Sequence, residues 1–157
     1  MILVNDMSDV NSYIRKNSKV ALVVTEKPDG GYNLITVEWF TRTSIQPPMF
    51  AISIGHTRFS YDCLEANRYF NLVFPSIEQQ ELLKLCGSQS GRDIDKFAVG
   101  NVKHIPGKLN KLPVLTDAIV NMECSIINQI RSGDHTLYVG QVNKLWLDND
   151  KELFFYK

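Results

Sequence analysis

The chain has 157 residues, which suits one domain with a core large enough to need no disulfide staples. Its 17 lysines and arginines balance 17 aspartates and glutamates, so no global field would draw it to nucleic acid or to an anionic membrane. Hydrophobic residues make up 44% and charged residues 22%, as in ordinary soluble globular proteins. Cys63, Cys86 and Cys124 are odd in number and far apart, without metal-ligand spacing, and read as reduced thiols. His56, His104 and His135 offer no ligand spacing either, so no metal is expected. The start, MILVNDMSDV, lacks the basic and apolar regions of a signal peptide, and no apolar stretch reaches membrane-spanning length. A cytoplasmic protein is expected.

In chain order, Ser8 to Lys16 is predicted as a short helix capped by Ser8 or Asp9, with Val10, Tyr13 and Ile14 on one side. Lys19 to Glu26 is β-branched and apolar, as in a buried strand. Pro28-Asp29-Gly30-Gly31 supplies a hairpin turn with glycines for its left-handed positions. The strand that follows alternates Leu34, Thr36 and Glu38 with Ile35, Val37 and Trp39. Gln46-Pro47-Pro48 breaks the pairing, because neither proline can donate to a ladder. The next strand has bulky Phe50, Ile52 and Ile54 on one face and small Ala51, Ser53 and Gly55 on the other. Gly55 to Ser60 then leads into a helix running to Ala66, with Asn67 as a left-handed stop.

Tyr69 to Phe74 is a strand ended by Pro75, and Ser76 with Gln79 forms a capping box before a helix to Leu85. Cys86 to Gly91 is a flexible connection, Arg92 to Phe97 one or two helical turns, and Asn101 to Ile105 a short strand. A loop through Pro106-Gly107 and Pro113 follows. Ile119 to Ile130 and His135 to Leu147 make a hairpin around Ser132-Gly133-Asp134, and Glu152 to Tyr156 closes the chain as a strand. Six or seven strands joined largely by hairpins, with two or three helices, predict a closed antiparallel barrel with helical insertions. A two-sheet sandwich is the structural alternative.

Two features bear on chemistry. The small-residue face of the strand ending at Gly55 lets a planar group lie against the backbone. The helix start beside it offers unpaired N–H groups, the hydroxyls of Thr57 and Ser60, and the Arg58 fork, all suited to phosphate. This stretch alone leaves two readings open: an ordinary threonine-capped helix, or an anion site for a flat-ringed ligand. Ser90 to Lys96 packs two cations and two carboxylates together, and its simpler reading is a solvated turn with local ion pairs. No nucleophile elbow, zinc helix, phosphate loop or Rossmann glycine fingerprint is present.

Together these pieces resemble the flavin reductase-like family of FMN-binding split barrels, in particular its flavoredoxin-like branch. The matching residues are Asn33, Thr36 and Trp39; Pro47-Pro48 before Ala51 to Gly55; and Thr57-Arg58 with Ser60. They continue with Cys86-Gly87, Ser90-Gly91-Arg92, Asp95-Lys96-Phe97, Glu123-Cys124, Gly133-Asp134-His135 and Gly140, over about Lys19 to Leu147. The resemblance implies one domain over residues 1–157, mainly β with helical insertions: a Greek-key FMN-binding split β-barrel, usually a homodimer. It implies FMN contacts from Asn33, from Thr36, Val37, Glu38 and Trp39 beside the ring, and from the backbone of Ser53, Ile54 and Gly55. Thr57, Arg58 and Ser60 would hold the phosphate, with Lys96 as a further cation.

His135 would position the nicotinamide of NADH or NADPH, since hydride transfer needs alignment more than a proton relay. Electrons would pass to free flavin, a ferric complex or a redox partner protein. The rivals are a flavoredoxin-type carrier reduced by another protein, a barrel that has kept the fold without turnover, and, less favoured, a pyridoxine-phosphate-oxidising relative. Glu38 departs from the family pattern, where a small residue is usual. Its carboxylate either pairs with Arg42, Arg58 or Lys96 or points to solvent.

Overall fold

Strand β2 (Ala21–Glu26) is buried on both faces, which is what its unbroken apolar run demands. Ala21 and Val23 face a barrel interior shared with Ile52, Phe70, Leu72 and Tyr138. Leu22 and Val24 face outward beneath Leu82, Leu83 and Cys86 of helix α3 (Gln80–Ser88). One strand thus separates two cores, one inside the barrel and one under a helix. The computed structural model describes residues 1–15 and 20–154.

The main sheet runs β3 (Tyr32–Val37), β2, β6 (Tyr69–Phe74), β9 (Val120–Ser132), β10 (His135–Leu147), β5 (Met49–Gly55) and β4 (Phe40–Ser44), all antiparallel. A short β1 (Ile2–Val4) also pairs with β10. The outermost strands of this order, β3 and β4, are consecutive in the chain and separated only by Glu38 and Trp39. A chain that leaves one edge and immediately begins the other requires the sheet to curl until those edges approach. The result is the predicted antiparallel barrel, not the sandwich. Beyond this covalent join β3 keeps one side without a strand partner among the described residues, and the barrel is split there.

The helices are insertions: α1 (Asn11–Arg15), α2 (Phe59–Ala66) after β5, α3 after β6, and α4 (Lys96–Val99). The Ser76–Gln79 capping box forms, with Ser76 Oγ accepting from Glu78 N–H and Gln79 Oε1 from Ser76 N–H. Gly30 and Gly31 take φ of 97° and 80° in the β2–β3 turn, as predicted.

Several expectations need correcting. The stretch after Trp39, for which no element is predicted, is strand β4, which pairs with β5 ahead of the prolines. Asn67 is extended (φ −134°); its side chain donates to the Glu26 and Cys63 carbonyls, which ends the helix without a left-handed residue. The first helix is split into a 3-10 turn at Met7–Asp9, capped by Asp6, and α1, so neither Ser8 nor Asp9 is the cap. Its predicted end at Lys16, and the strand start at Lys19, lie outside the described residues. The loop around Pro106 and Pro113 is a small two-stranded ribbon, β7 (His104–Pro106) with β8 (Pro113–Leu115). Of the closing strand, Leu153 makes an isolated bridge to Ser76, while Phe155 and Tyr156 lie outside the described residues.

Candidate functional site

A cleft of about 360 Å³ opens where the split side of β3 faces the start of α2 and the α3–α4 connection. It gathers Asn33 and Thr36 from β3, Thr57, Arg58 and Ser60 from the start of α2, and Lys96 from the start of α4. Residues Cys86 to Asp93 form the remaining wall. Three distant chain segments therefore converge, and six of the residues singled out from sequence share one opening.

Each is fixed by local structure. His56 N–H donates to the Asp134 carbonyl at 2.9 Å and Arg58 N–H to the Gly55 carbonyl at 3.0 Å, turning the chain sharply out of β5. Arg58 then occupies the N-cap position of α2 in an extended conformation with no side-chain capping bond. The expected threonine cap does not form, and among the described residues the first-turn N–H groups of Phe59 and Ser60 meet no acceptor. Asp95 caps α4 instead, accepting from Phe97 and Ala98 N–H, and so fixes Lys96 as its first residue.

Lys96 is only 4% exposed, and its Nζ donates to the Leu34 carbonyl at 2.7 Å and the Cys86 carbonyl at 3.1 Å. That geometry replaces the solvated turn with local ion pairs, because the amine is drawn inward to blunt the β3 edge. Burial pushes the Lys96 pKa below the usual lysine value, the Cys86 side chain opposes the shift, and the Arg58 charge adds to it. Among the described residues neither Arg58 nor Lys96 has a carboxylate within ion-pair distance. Two mutually repelling cations at one opening, neither of them ion-paired although Asp93 also lines it, favour an anion.

The floor has its own polarity. Asn33 Nδ2 donates to Ser60 Oγ at 2.8 Å, which leaves the serine hydrogen free to donate into the cleft. Asn33 is 1% exposed, yet among the described residues its Oδ1 has no hydrogen-bond partner. Gly91 lies directly over it: a Cβ on Gly91 would run into the Asn33 side chain and force it to shift. Thr36 spends its hydroxyl on the Leu83 carbonyl at 2.7 Å, which fastens β3 to α3. Burial pushes the Cys86 thiol up to about 12, so it is no nucleophile at neutral pH.

The other candidates lie elsewhere. Trp39 and Ser53 line a shallow apolar depression with Phe40, Ala51 and Leu137. The Trp39 ring, 59% exposed, packs 4.7 Å from the His135 imidazole. His135 Nδ1 bonds Asp134 Oδ1 at 2.6 Å, and its Nε2 sits 3.3 Å from where a Gly55 Cβ would be, so imidazole covers the flat end of β5. The bond to His135 holds the Asp134 carboxyl below its usual pKa. Ser53 N–H is committed to the Trp39 carbonyl at 2.9 Å, and Val37 and Ile54 turn their side chains into the barrel core. Glu38 is exposed and, among the described residues, pairs with none of Arg42, Arg58 or Lys96.

Sequence reasoning missed Asp62 and Phe59, which contact Arg92 across the cleft, and the Asn33–Ser60 bond. The only available signal was the crowding of charge in Ser90 to Lys96, whose partners are remote in sequence. Among the described residues no helix is long and apolar enough to cross a membrane, and no cluster of histidine, cysteine or carboxylate could hold a metal ion.

A split antiparallel β-barrel with a cation-rich cleft at its open edge is the class the fold and site define. Residues 14–157 match the flavin reductase like domain, and the chain belongs to that family. It is 29% identical over 144 residues to an NADH-dependent flavin reductase of Rhodococcus sp, covering 88% of this chain and 76% of that one. The FMN-binding protein from Thermus thermophilus, solved with bound p-hydroxybenzaldehyde, superposes with a TM-score of 0.78 at 29% identity, over 89% of this chain and 82% of that one. The flavoredoxin of Desulfovibrio vulgaris (Miyazaki F) shares the fold, with a TM-score of 0.77 at 24% identity over 88% of this chain and 76% of that one. The chain spans 64% and 63% of the length of two further curated relatives.

Proposed function

We propose that this protein is an FMN-binding oxidoreductase that takes hydride from NADH or NADPH and passes electrons to free flavin, a ferric complex or a partner protein. The observation that carries the reading is the cleft itself, where, among the described residues, two cations with no ion-pair partner and an unpaired buried acceptor meet at a helix start. The donor set fits FMN. Arg58, the Ser60 hydroxyl and the free N–H groups of α2 would hold the phosphate, with Thr57 beside them. Asn33 Oδ1 lies under Gly91; with that wall drawn back it would accept from a hydroxyl, which a ribityl chain has and a phosphate dianion lacks. Lys96 would supply positive charge deeper in the cleft.

FMN, when bound, supplies hydride-acceptor and electron-transfer chemistry. The protein's part is to bind, orient and exclude water. Trp39 and the small side of β5 offer flat surface for a ring, and His135, oriented by Asp134, would align the nicotinamide without needing to move a proton. We also infer a homodimer. Ile127 and Ile130 are 49% and 54% exposed on the part of β9 that extends past its pairing with β6, apolar side chains that a second copy would cover. Light scattering at micromolar concentration should report twice the chain mass.

The deciding experiment is anaerobic addition of NADH, then NADPH, to the FMN-loaded protein while flavin absorbance is followed. Bleaching by either nucleotide supports the reductase. Tight FMN that neither nucleotide bleaches, but a reduced ferredoxin does, would make the protein a carrier instead.

A further inference from the structure

The α3–α4 connection forms one wall of the cleft, and a single side chain fastens it to the other. The Arg92 guanidinium donates from Nη2 to Asp62 Oδ2 at 2.6 Å and from Nη1 to the Thr57 carbonyl at 3.1 Å. It also lies 5.4 Å over the Phe59 ring. All three partners belong to the start of α2, the facing wall. On its own side Arg92 is set in a tight turn: its N–H donates to Ser90 Oγ at 3.2 Å, and Asp93 and Ile94 N–H donate to the Ser90 carbonyl. Tension on Arg92 therefore reaches Gly91, which closes over Asn33. Among the described residues no other hydrogen bond joins residues 87–93 to residues 57–62.

Resting on the FMN reading above, we propose that Arg92 is a positioning residue that holds the two walls together over the phosphate end of the cofactor and so sets how fast FMN enters and leaves. Arg92 spends its charge on Asp62, whose side chain is not part of the cleft lining, and acts on the ligand through the wall. This differs measurably from direct phosphate binding. Removing a phosphate ligand raises the off-rate and leaves the on-rate unchanged or lower. Removing a fastener raises both, because one opening serves entry and exit.

The test is stopped-flow quenching of FMN fluorescence with the wild-type protein and the Arg92→Ala, Arg92→Lys and Asp62→Asn variants, their apo melting temperatures being checked first. Both rate constants should rise about tenfold in Arg92→Ala and about threefold in Asp62→Asn, with Kd changing less than about threefold. Arg92→Lys, which can reach one partner but not both, should fall between the wild type and Arg92→Ala. A faster off-rate with an unchanged or slower on-rate would overturn the proposal in favour of direct contact, and unchanged rates would remove any role. If the wild type binds no FMN, the functional reading fails, and amide exchange in the apo protein judges the fastener alone. Faster exchange at residues 89–93 in Asp62→Asn supports it, and unchanged exchange sinks it.

Discussion

The cleft, walled by β3, the start of α2 and the α3–α4 connection, and the open face around Trp39 and His135 are opposite kinds of surface. In the cleft Asn33, Ser60 and Lys96 are buried and anchored through hydrogen bonds to segments far away in sequence. At the open face Trp39 packs on His135, which in turn bonds Asp134, whose carboxylate is almost fully exposed. The contrast assigns two jobs. A rigid, charged, partly closed end suits a group that must stay, and a shallow, exposed aromatic end suits a reactant that must come and go.

The largest expected effect breaks the closed end. Among the described residues the Arg58 side chain makes no hydrogen bond or ion pair, so Arg58→Ala should lower FMN affinity about 100-fold in calorimetry and leave the apo melting temperature nearly unchanged. Equal affinity would move the phosphate elsewhere. The second effect concerns pH. Burial depresses the Lys96 pKa in the free protein, and a bound dianion favours the ammonium, so FMN binding takes up a proton above that depressed value. Affinity should be flat below that pH and fall as pH rises through it, at most about tenfold per unit, and the fall should vanish in Lys96→Met.

The open end is tested by His135→Ala. NADH-driven reduction should slow about tenfold, mainly through a higher KM, while FMN affinity stays within about twofold. A lost FMN affinity would mean that the two regions are one site. The smallest effect sharpens the cleft's polarity. Asn33→Leu removes the bond to Ser60 but also an unpaired buried oxygen, so apo stability should hardly change while FMN affinity drops about fivefold.

The barrel was legible because its signals are local. Alternation in β5, the glycine turn before β3, and the long hairpin of β9 and β10 each occupy one short stretch of sequence. Strand β4 was hidden because Thr41, Arg42 and Thr43 carry no apolar face, and its pairing with β5 is tertiary. The same division runs through the site. Thr57, Arg58 and Ser60 announce themselves at a helix start, although the threonine cap expected there is absent. What sequence does not reveal is reach: Lys96 crosses to Leu34 and Arg92 to Asp62, converting an apparently solvated turn into a cleft wall. Charge crowding in sequence says that ions are present, not whom they meet.

The most direct measurement is the affinity of the apo protein for FMN against that of riboflavin, which differs only by the phosphate. Anchoring at Arg58 and the start of α2 gives FMN an advantage of about 30-fold or more at neutral pH and low salt, shrinking as salt is raised. Equal binding of the two, or none of either, would contradict a phosphate-anchored flavin in this cleft.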